Sequence, residues 1–511
     1  MPRQSPLSFR LPLLALILAL LAIEISFLPM PSIQEDEALF ATPYLNSHLS
    51  LYTWTIGHVQ VPVMLLTYIG TLKSWIYWPI FKLWGINAWS IRLPVCLLSL
   101  LTIWIFAEFL RWTTNETVAL LTSLLLATDA PFVITNVFDW GPVCLLLLST
   151  VLFLCFFQRF IAHGNRSWLC AAFFVAGMAS WYKALFLVLV AAVALSCLIV
   201  FGLRCREWIQ VRNVSVAILS FTIGAAPLII FNLTRKGPTF TASRDLPAVG
   251  AGEKLMMLRH TLDGRALEHY MFRSIPGERI QLIGAPLEKL VTQWYSQTSF
   301  HPASLLLPAL ILALLALPFL RSSPLFRPIL FCWIAFAAME TAMVLFRDAG
   351  AGPHHTLLLY PAPQFIAAAT AWAIGDKMHR PLAAWSVAVV LVSANLWLLH
   401  SYYERGKENG FSAYWTDGAE NLARVVAGQY LPVAILDWGI QSGLQVETHG
   451  QIPIVAPEPI RPGVLYVGHC AGFVIDESRS VRYQQLLREE RRVTDRHGAP
   501  LYCLYEMQDR P

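Results

Sequence analysis

The chain has 511 residues, of which 56% are hydrophobic and only 14% charged. Soluble domains carry roughly 25% charged residues, so this composition, with a mean hydropathy of +0.55, excludes a soluble globular enzyme and puts most of the chain in lipid. The net charge of +5 sits in short loops between apolar runs, which argues against a nucleic-acid partner and for membrane-topology signals.

In chain order, Arg3 and Arg10 precede an apolar run from Leu11 to Leu28. The run is long for a secretory signal core, and no small-residue cleavage site follows it, so it is expected to remain as a first transmembrane helix. A span needs about 20 apolar residues. Such runs fall near 9–29, 88–110, 117–136, 141–160, 167–181, 184–203, 214–232, 303–320, 328–346, 356–375 and 382–400. The expected fold is mainly α: a polytopic membrane bundle of about 11 spans over 1–400, followed by a small extracytoplasmic α/β domain over 401–511.

Loop charges set the orientation. Arg111, Arg159, Arg166, Arg204, Arg206, Arg212, Arg321, Arg327, Lys377 and Arg380 fall in alternate loops, and the opposite short loops hold little beyond Lys183 and Arg347. The positive-inside rule then makes the N-terminus cytoplasmic, and an odd number of spans puts the tail in the periplasm of an inner membrane protein. Three large pieces lie on the outer side. The loop 30–87 holds acids and then Trp75, Tyr77, Trp78 and Trp84, suited to the headgroup layer. The loop 233–302 carries Arg235, Lys236, Arg244, Lys254, Arg259, Arg265, Arg273, Arg279 and Lys289 against six acids, either as a basic lid over a lipid phosphate or through attraction to anionic headgroups.

The third piece is the tail. Asp417–Tyr430 has helical spacing, Pro432–Asp437 and Val464–Val467 are short strand-like runs, Ser478–Arg488 resembles an amphipathic helix, and Leu501–Tyr505 is a last strand. Seven of the nine cysteines lie in or beside apolar runs and are expected as buried hydrophobes. Cys470 and Cys503 in the tail form a disulfide if the compartment is oxidising or stay as two free thiols. No CxxC or Cys/His spacing points to a metal; no cofactor is required, and a divalent metal is left open but not indicated.

Two places carry chemistry. Gln34-Glu35-Asp36-Glu37 follows the first span directly. Consecutive acids there act either as a solvated helix cap or as a base that takes a proton from an acceptor hydroxyl. Asp139, in Asn136-Val137-Phe138-Asp139-Trp140-Gly141-Pro142, lies between two apolar runs on the same side. A carboxylate there must be wetted, paired or used, and Pro142 also suits the start of a helix behind a capping residue.

The order of these pieces resembles the GT-C superfamily, notably the protein O-mannosyltransferases and the lipid A aminoarabinose transferases. Asp36-Glu37 is similar to the family's Asp-Glu in the first outer loop. Phe81-Lys82-Leu83-Trp84-Gly85 followed by Ser90-Ile91-Arg92-Leu93-Pro94 resembles its aromatic-Gly and Arg-Leu-Pro stretch, Leu124–Asp129 a further motif, and Gly177–Lys183 its Gly-to-Lys segment. Asp139 falls where the second outer-loop Asp lies. The likeness covers 1–200. Leu39, Phe40, Val137 and Ala184 depart from the family's pattern.

The resemblance implies an inverting glycosyltransferase that uses a polyprenyl-phosphate sugar donor and a protein, lipid or polysaccharide acceptor. Asp36 would be the base, with Glu37 and Asp139 in the catalytic group. The leaving phosphate needs cations: Lys73, Lys183, or the cluster Arg347, His354 and His355. Lys73 could instead snorkel to headgroups, and the two histidines could instead be a polar helix end. Adjacent histidines rarely face one way on a helix, which speaks against a metal there. Asp139→Asn is expected to cut activity strongly and Glu35→Gln to matter little. The competing readings are a transporter or flippase of a lipid-linked sugar, which should show matching interrupted half-repeats that the sequence lacks, and a non-catalytic lipid-binding scaffold, which leaves the acids unexplained.

Overall fold

Each of the eleven apolar runs is helical in the computed structural model, which describes residues 6–30, 33–241, 249–272, 302–347, 349–408, 410–411, 415–470 and 483–508. The first run forms α1 (Pro6–Phe27). Behind it come two single-turn helices, α2 (Glu35–Ala38) and α3 (Thr42–Leu45), then an antiparallel sheet of β1 (Tyr52–Ile56), β2 (Val59–Leu66) and β3 (Ile69–Gly70), then α4 (Leu72–Trp84). The bundle continues through α5 (Ala88–Thr113), α6 (Glu116–Ala127), α7 (Ala130–Val137), α8 (Val143–His163), α9 (Arg166–Tyr182), α10 (Phe186–Phe201), α11 (Val211–Gly224) and α12 (Ala226–Thr234). After α13 (Pro238–Thr241), α14 (Ala251–Leu262) and α15 (Glu268–Met271) it closes with α16 (Leu306–Ala316), α17 (Phe326–Leu345), α18 (Pro353–Thr356), α19 (Ala362–Lys377) and α20 (Pro381–Glu408).

Among the described residues, six helices are long and apolar enough to cross a bilayer alone, and three bent pairs raise the number to nine. The chain is a multi-pass membrane protein. Two expected spans fall short of that length: α9 has 17 residues and α16 has 11. A 17-residue helix is about 26 Å long, close to the thickness of the hydrocarbon core.

Among the described residues three spans are bent pairs of helices. They are α6/α7 at 61°, α11/α12 at 70°, and Pro353–Leu359 with α19 at 41°. A proline stands at each bend, Pro361 in the break itself and Pro131 and Pro227 in the first turn of α7 and α12; proline lacks a backbone donor and clashes with the carbonyl four residues earlier. Acids also lie inside spans. Glu24 on α1 accepts the Ser99 hydroxyl at 2.6 Å. Asp129 caps α7 by accepting Phe132 N–H at 3.1 Å and takes Tyr360 and Gln364 as further donors. Glu340 is buried in α17.

The antiparallel sheet and α9 position each other. Trp181 Nε1 donates to Val63 O at 3.0 Å, Ala184 N donates to Tyr68 O at 3.1 Å, and Lys183 forms a β-bridge with Ile69. On its other side α9 touches α11 backbone to backbone. A Cβ on Gly177 would stand 2.2 Å from Phe221 O, and one on Gly224 would stand 2.3 Å from Phe174 O. Small residues at such crossings let membrane helices pack closely.

The tail is the expected small α/β domain, and α20 runs on to Glu408 before it begins. α21 (Gly418–Ala427), β4 (Val433–Ile435), α22 (Gln441–Glu447), β5 (Ile454–Val455), β6 (Leu465–His469), β7 (Leu487–Thr494) and β8 (Pro500–Met507) build a sheet of order β5-β4-β6-β8-β7. Residues 478–482 of the expected amphipathic helix lie outside the described residues, 483–486 are helical, and its last two residues, Leu487 and Arg488, open strand β7. Charged residues 488–492 pair against β8 on the sheet edge, where charge blocks edge-to-edge association. That pairing ends the helical pattern after residue 486. Cys470 and Cys503 are joined in a disulfide with Cα atoms 5.0 Å apart, which settles the choice the sequence left open.

Candidate active site

The site is built around the single turn α2. Successive residues of a helix project about 100° apart, so Glu35, Asp36 and Glu37 point in three directions. Gln34 opens the turn with a capping box: its side-chain oxygen accepts Asp36 N–H at 2.8 Å, and Glu37 accepts Gln34 N–H at 3.4 Å.

Glu37 points inward and is fully buried. Arg92 of α5 grips it from both sides, Nε to Oε2 at 2.6 Å and Nη2 to Oε1 at 2.8 Å. The same guanidinium donates to Leu28 O at 2.7 Å and to Met30 O, past the end of α1. Bidentate guanidinium–carboxylate pairs of this kind fix geometry. Glu37 is therefore an anchor for the turn and not a free catalytic group. Arg92 was present in the motif stretch but was not matched to an acid, because its partner lies 55 residues away.

Asp139 occupies the turn between α7 and α8 with a left-handed φ of 46°. It too is paired. Lys73 Nζ donates to its Oδ1 at 2.5 Å and to Gly141 O at 2.6 Å, and the Tyr77 hydroxyl lies 2.9 Å from its Oδ2. The Phe40 ring covers the ammonium at 3.9 Å. Burial pushes the Asp139 carboxyl up to about 7, while Lys73 and Tyr77 oppose the shift. With these partners and 1% exposure, Lys73 holds Asp139 and is not placed as a free phosphate-binding cation. Snorkelling is excluded as well.

Asp36 keeps partial exposure. Burial raises its carboxyl above the ordinary range, and Lys183, a hydrogen bond from Trp140, and Lys73 pull it back in that order. Lys183, at the end of α9, is buried. His354 stacks on Trp140 at 6.2 Å. The His355 ring lies 4.1 Å from that of His354, so the two neighbours do sit side by side, because α18 is a single turn that runs into a 3-10 segment. Arg347 lies past the end of α17 with an exposed side chain. The structure thus gathers Asp36, Asp139, Lys73, Lys183 and the histidines, with Glu37 fixing the turn behind them. Among the described residues no group of three or more His, Cys, Asp or Glu is placed to hold a metal ion.

Of the basic loop, Arg244, Arg273, Arg279 and Lys289 lie outside the described residues. Lys254 is buried and donates to the carbonyls of Met343 at 3.1 Å and Val344 at 3.4 Å and to that of Phe346. It caps α17, where a cation suits the helix C-terminus. Arg265 pairs with Asp263 at 2.7 Å. Lys254 is thereby committed to the end of α17 and Arg265 to Asp263.

A cavity of about 380 Å³ opens between α5, α8, α10 and α17, runs from Thr113, Gln158 and Arg327 to the Leu358–Tyr360 segment, and is lined by none of Asp36, Lys73, Asp139, Lys183, His354 and His355. Phe106, Leu154, Phe157, Val193 and Phe331 are among the residues lining it.

Residues 70–231 match the family model described as dolichyl-phosphate-mannose-protein mannosyltransferase. The structure superposes on the crystal structure of ArnT from Cupriavidus metallidurans bound to undecaprenyl phosphate with a TM-score of 0.58, covering 98% of each chain at 13% identity. The chain has a GT-C fold. The Archaeoglobus fulgidus oligosaccharyltransferase, in a complex with Zn and sulfate, shares this GT-C architecture over 86% of the present chain and 62% of its own, with a TM-score of 0.51 at 10% identity. No curated protein matches the chain in sequence. The matched segment 70–231 contains Lys73, Asp139 and Lys183 and begins after Asp36.

Proposed function

We propose that this GT-C protein is an inverting glycosyltransferase that moves a sugar from a polyprenyl-phosphate carrier to an acceptor hydroxyl on the periplasmic face of the inner membrane. The observation that carries the reading is the division of labour in α2: Glu37 is held by Arg92, whereas Asp36 stays partly exposed beside Lys183 and Trp140.

In this reading Asp36 takes the acceptor's hydroxyl proton. The acceptor oxygen bonds to the anomeric carbon from the face opposite the phosphate, and the sugar–phosphate bond breaks with its electron pair going to the leaving phosphate. Lys183 balances the charge that develops, with His354 and His355 as hydrogen-bond donors. Lys73 and Asp139 act together as a strut that keeps the loop between α7 and α8 in place. The apolar cavity between α5, α8, α10 and α17 is of a kind that accepts an isoprenoid chain, and the similar ArnT structure contains undecaprenyl phosphate. The periplasmic side is supported by the positive-inside pattern and by the Cys470–Cys503 bond, since disulfides persist in oxidising compartments.

The test incubates membranes with a panel of radiolabelled polyprenyl-phosphate sugars, with and without a chelator, comparing wild type and Asp36→Asn at equal expression. Transfer by the wild type that the substitution abolishes and the chelator spares is the expected result. Equal transfer by both proteins means that Asp36 is not the base. The interrupted spans also suit a flippase. In that case label stays on the lipid in both proteins and only changes side.

A further inference from the structure

We infer that the tail domain is a working part of the active site: two carboxylates, Glu35 on the catalytic turn and Glu447 on the tail, clamp α2 against α22 and so hold Asp36 in position. The inference rests on Asp36 being the base proposed above.

The clamp runs in both directions. Glu35 Oε2 accepts Ser442 N–H at 2.8 Å and Gly443 N–H at 3.2 Å. These amides open α22 and have no partner within their own helix. At the other end of the same helix the Glu447 carboxyl faces the backbone N–H of Ile33, just ahead of α2, which favours its charged form. Between the two ends the surfaces are in direct contact. Val446 is buried in one cluster with Ile33, Ala38, Phe40 and Ala41. A Cβ on Gly443 would stand 3.7 Å from Ile33 O, and one on Gly450 would stand 3.4 Å from the Leu45 side chain. Burial pushes the Glu35 carboxyl up to about 7, and the Ser442 and Gly443 bonds oppose that shift.

A four-residue helix does not stand by itself, because its nucleation is unfavourable and brings too few hydrogen bonds in return. The position of α2 must come from what grips it. Arg92 holds the inner side through Glu37, and α22 holds the outer side through Glu35. Asp36 lies between these two grips in sequence and in space. Glu35 is thus a positioning residue, contrary to the expectation that it matters little. The partner it needed lies 407 residues away, beyond the reach of any local pattern.

The experiment uses the full chain in lipid nanodiscs, with Glu35→Ala, Glu35→Gln, Glu447→Gln and, as control, Arg488→Ala on the exposed edge of β7. Amide hydrogen exchange is followed by mass spectrometry over 33–41 and over 487–507. In Glu35→Ala and Glu447→Gln, exchange over 33–41 should speed up roughly tenfold or more while 487–507 is unchanged, as expected when a local closing contact is lost. Transfer should show kcat lowered roughly 10- to 100-fold, the usual effect of a small misplacement, with the donor KM within about twofold of wild type. Glu35→Gln keeps an acceptor oxygen and should recover part of the rate. The control should match wild type throughout.

Unchanged exchange over 33–41 in both clamp variants overturns the inference, and so does a loss of transfer carried by KM alone. If the wild type transfers no sugar from any donor, the transferase reading falls, while the exchange measurement still decides whether the clamp exists.

Discussion

Lys73→Met keeps the apolar stem of the side chain and removes only its ammonium. The Lys73 and Asp139 side chains are 1% and 0% exposed and meet at 2.5 Å, so the change strands a buried acid. Removing one partner of a buried pair costs about 3–5 kcal/mol, against about 0–1 kcal/mol for an exposed pair. Asp139 has one way out, which is to take up a proton. Its carboxyl is already pushed up to about 7 by burial, and losing Lys73 pushes it further. Protonation becomes more costly by about 1.4 kcal/mol for each pH unit above the folded pKa. The variant's deficit should therefore grow as pH rises through that value and shrink below it, with protonation adding about 1.4 kcal/mol between pH 7 and pH 8.

Lys73→Met with Asp139→Asn replaces the whole pair and should restore most of the lost stability, with a coupling energy of about 2–3 kcal/mol. Unfolding titrations with SDS in mixed micelles at pH 6 and pH 8 give all four corners of the cycle. A single-variant deficit below about 1 kcal/mol at pH 8 would refute the strut. A raised donor KM without loss of stability would return Lys73 to the role of phosphate cation.

Because burial raises the Asp36 carboxyl while Lys183, Trp140 and Lys73 oppose it, and a base works ionised, kcat/KM should fall on acidification through a value above the ordinary aspartate pKa of about 3.9. Lys183→Met should move that limb to higher pH, and a profile flat down to pH 4 contradicts the assignment. Arg92→Ala removes the partner of buried Glu37 and strips donors from Leu28 O and Met30 O. It should cost about 3–5 kcal/mol, seen as lost monodisperse protein and a lower aggregation midpoint, and Arg92→Lys should recover only part, since lysine lacks the bidentate fork. Cys503→Ser opens a link between residues 33 apart in sequence, worth about 3–4 kcal/mol in chain-entropy terms. The tail should become trypsin-sensitive, and alkylation of the wild type in native membranes should find both thiols protected until reduction.

The membrane architecture was legible because it is a one-dimensional property. A span is a run of apolar residues as long as the bilayer is thick, and each of the eleven runs is helical. The tail strands at 433–435, 465–469 and 500–507 were legible in the same way, as short apolar segments between turns. The sheet at 52–70 was missed although it left a signal, Gly57 with a φ of 61° between two strand-forming runs. Sequence also singled out the acids of α2, but it could not say which of them is available for chemistry. Neighbours on a helix turn point apart, and each meets whatever the fold brings there: Arg92 for Glu37, the amides of α22 for Glu35, and the Lys183–Trp140 wall for Asp36. Likewise Lys73 and Asp139 were both picked out, yet only the folded chain shows that they satisfy each other. Burying a charge is costly enough to demand a partner, so sequence can announce the need. The partner's identity is decided by contacts between distant parts of the chain.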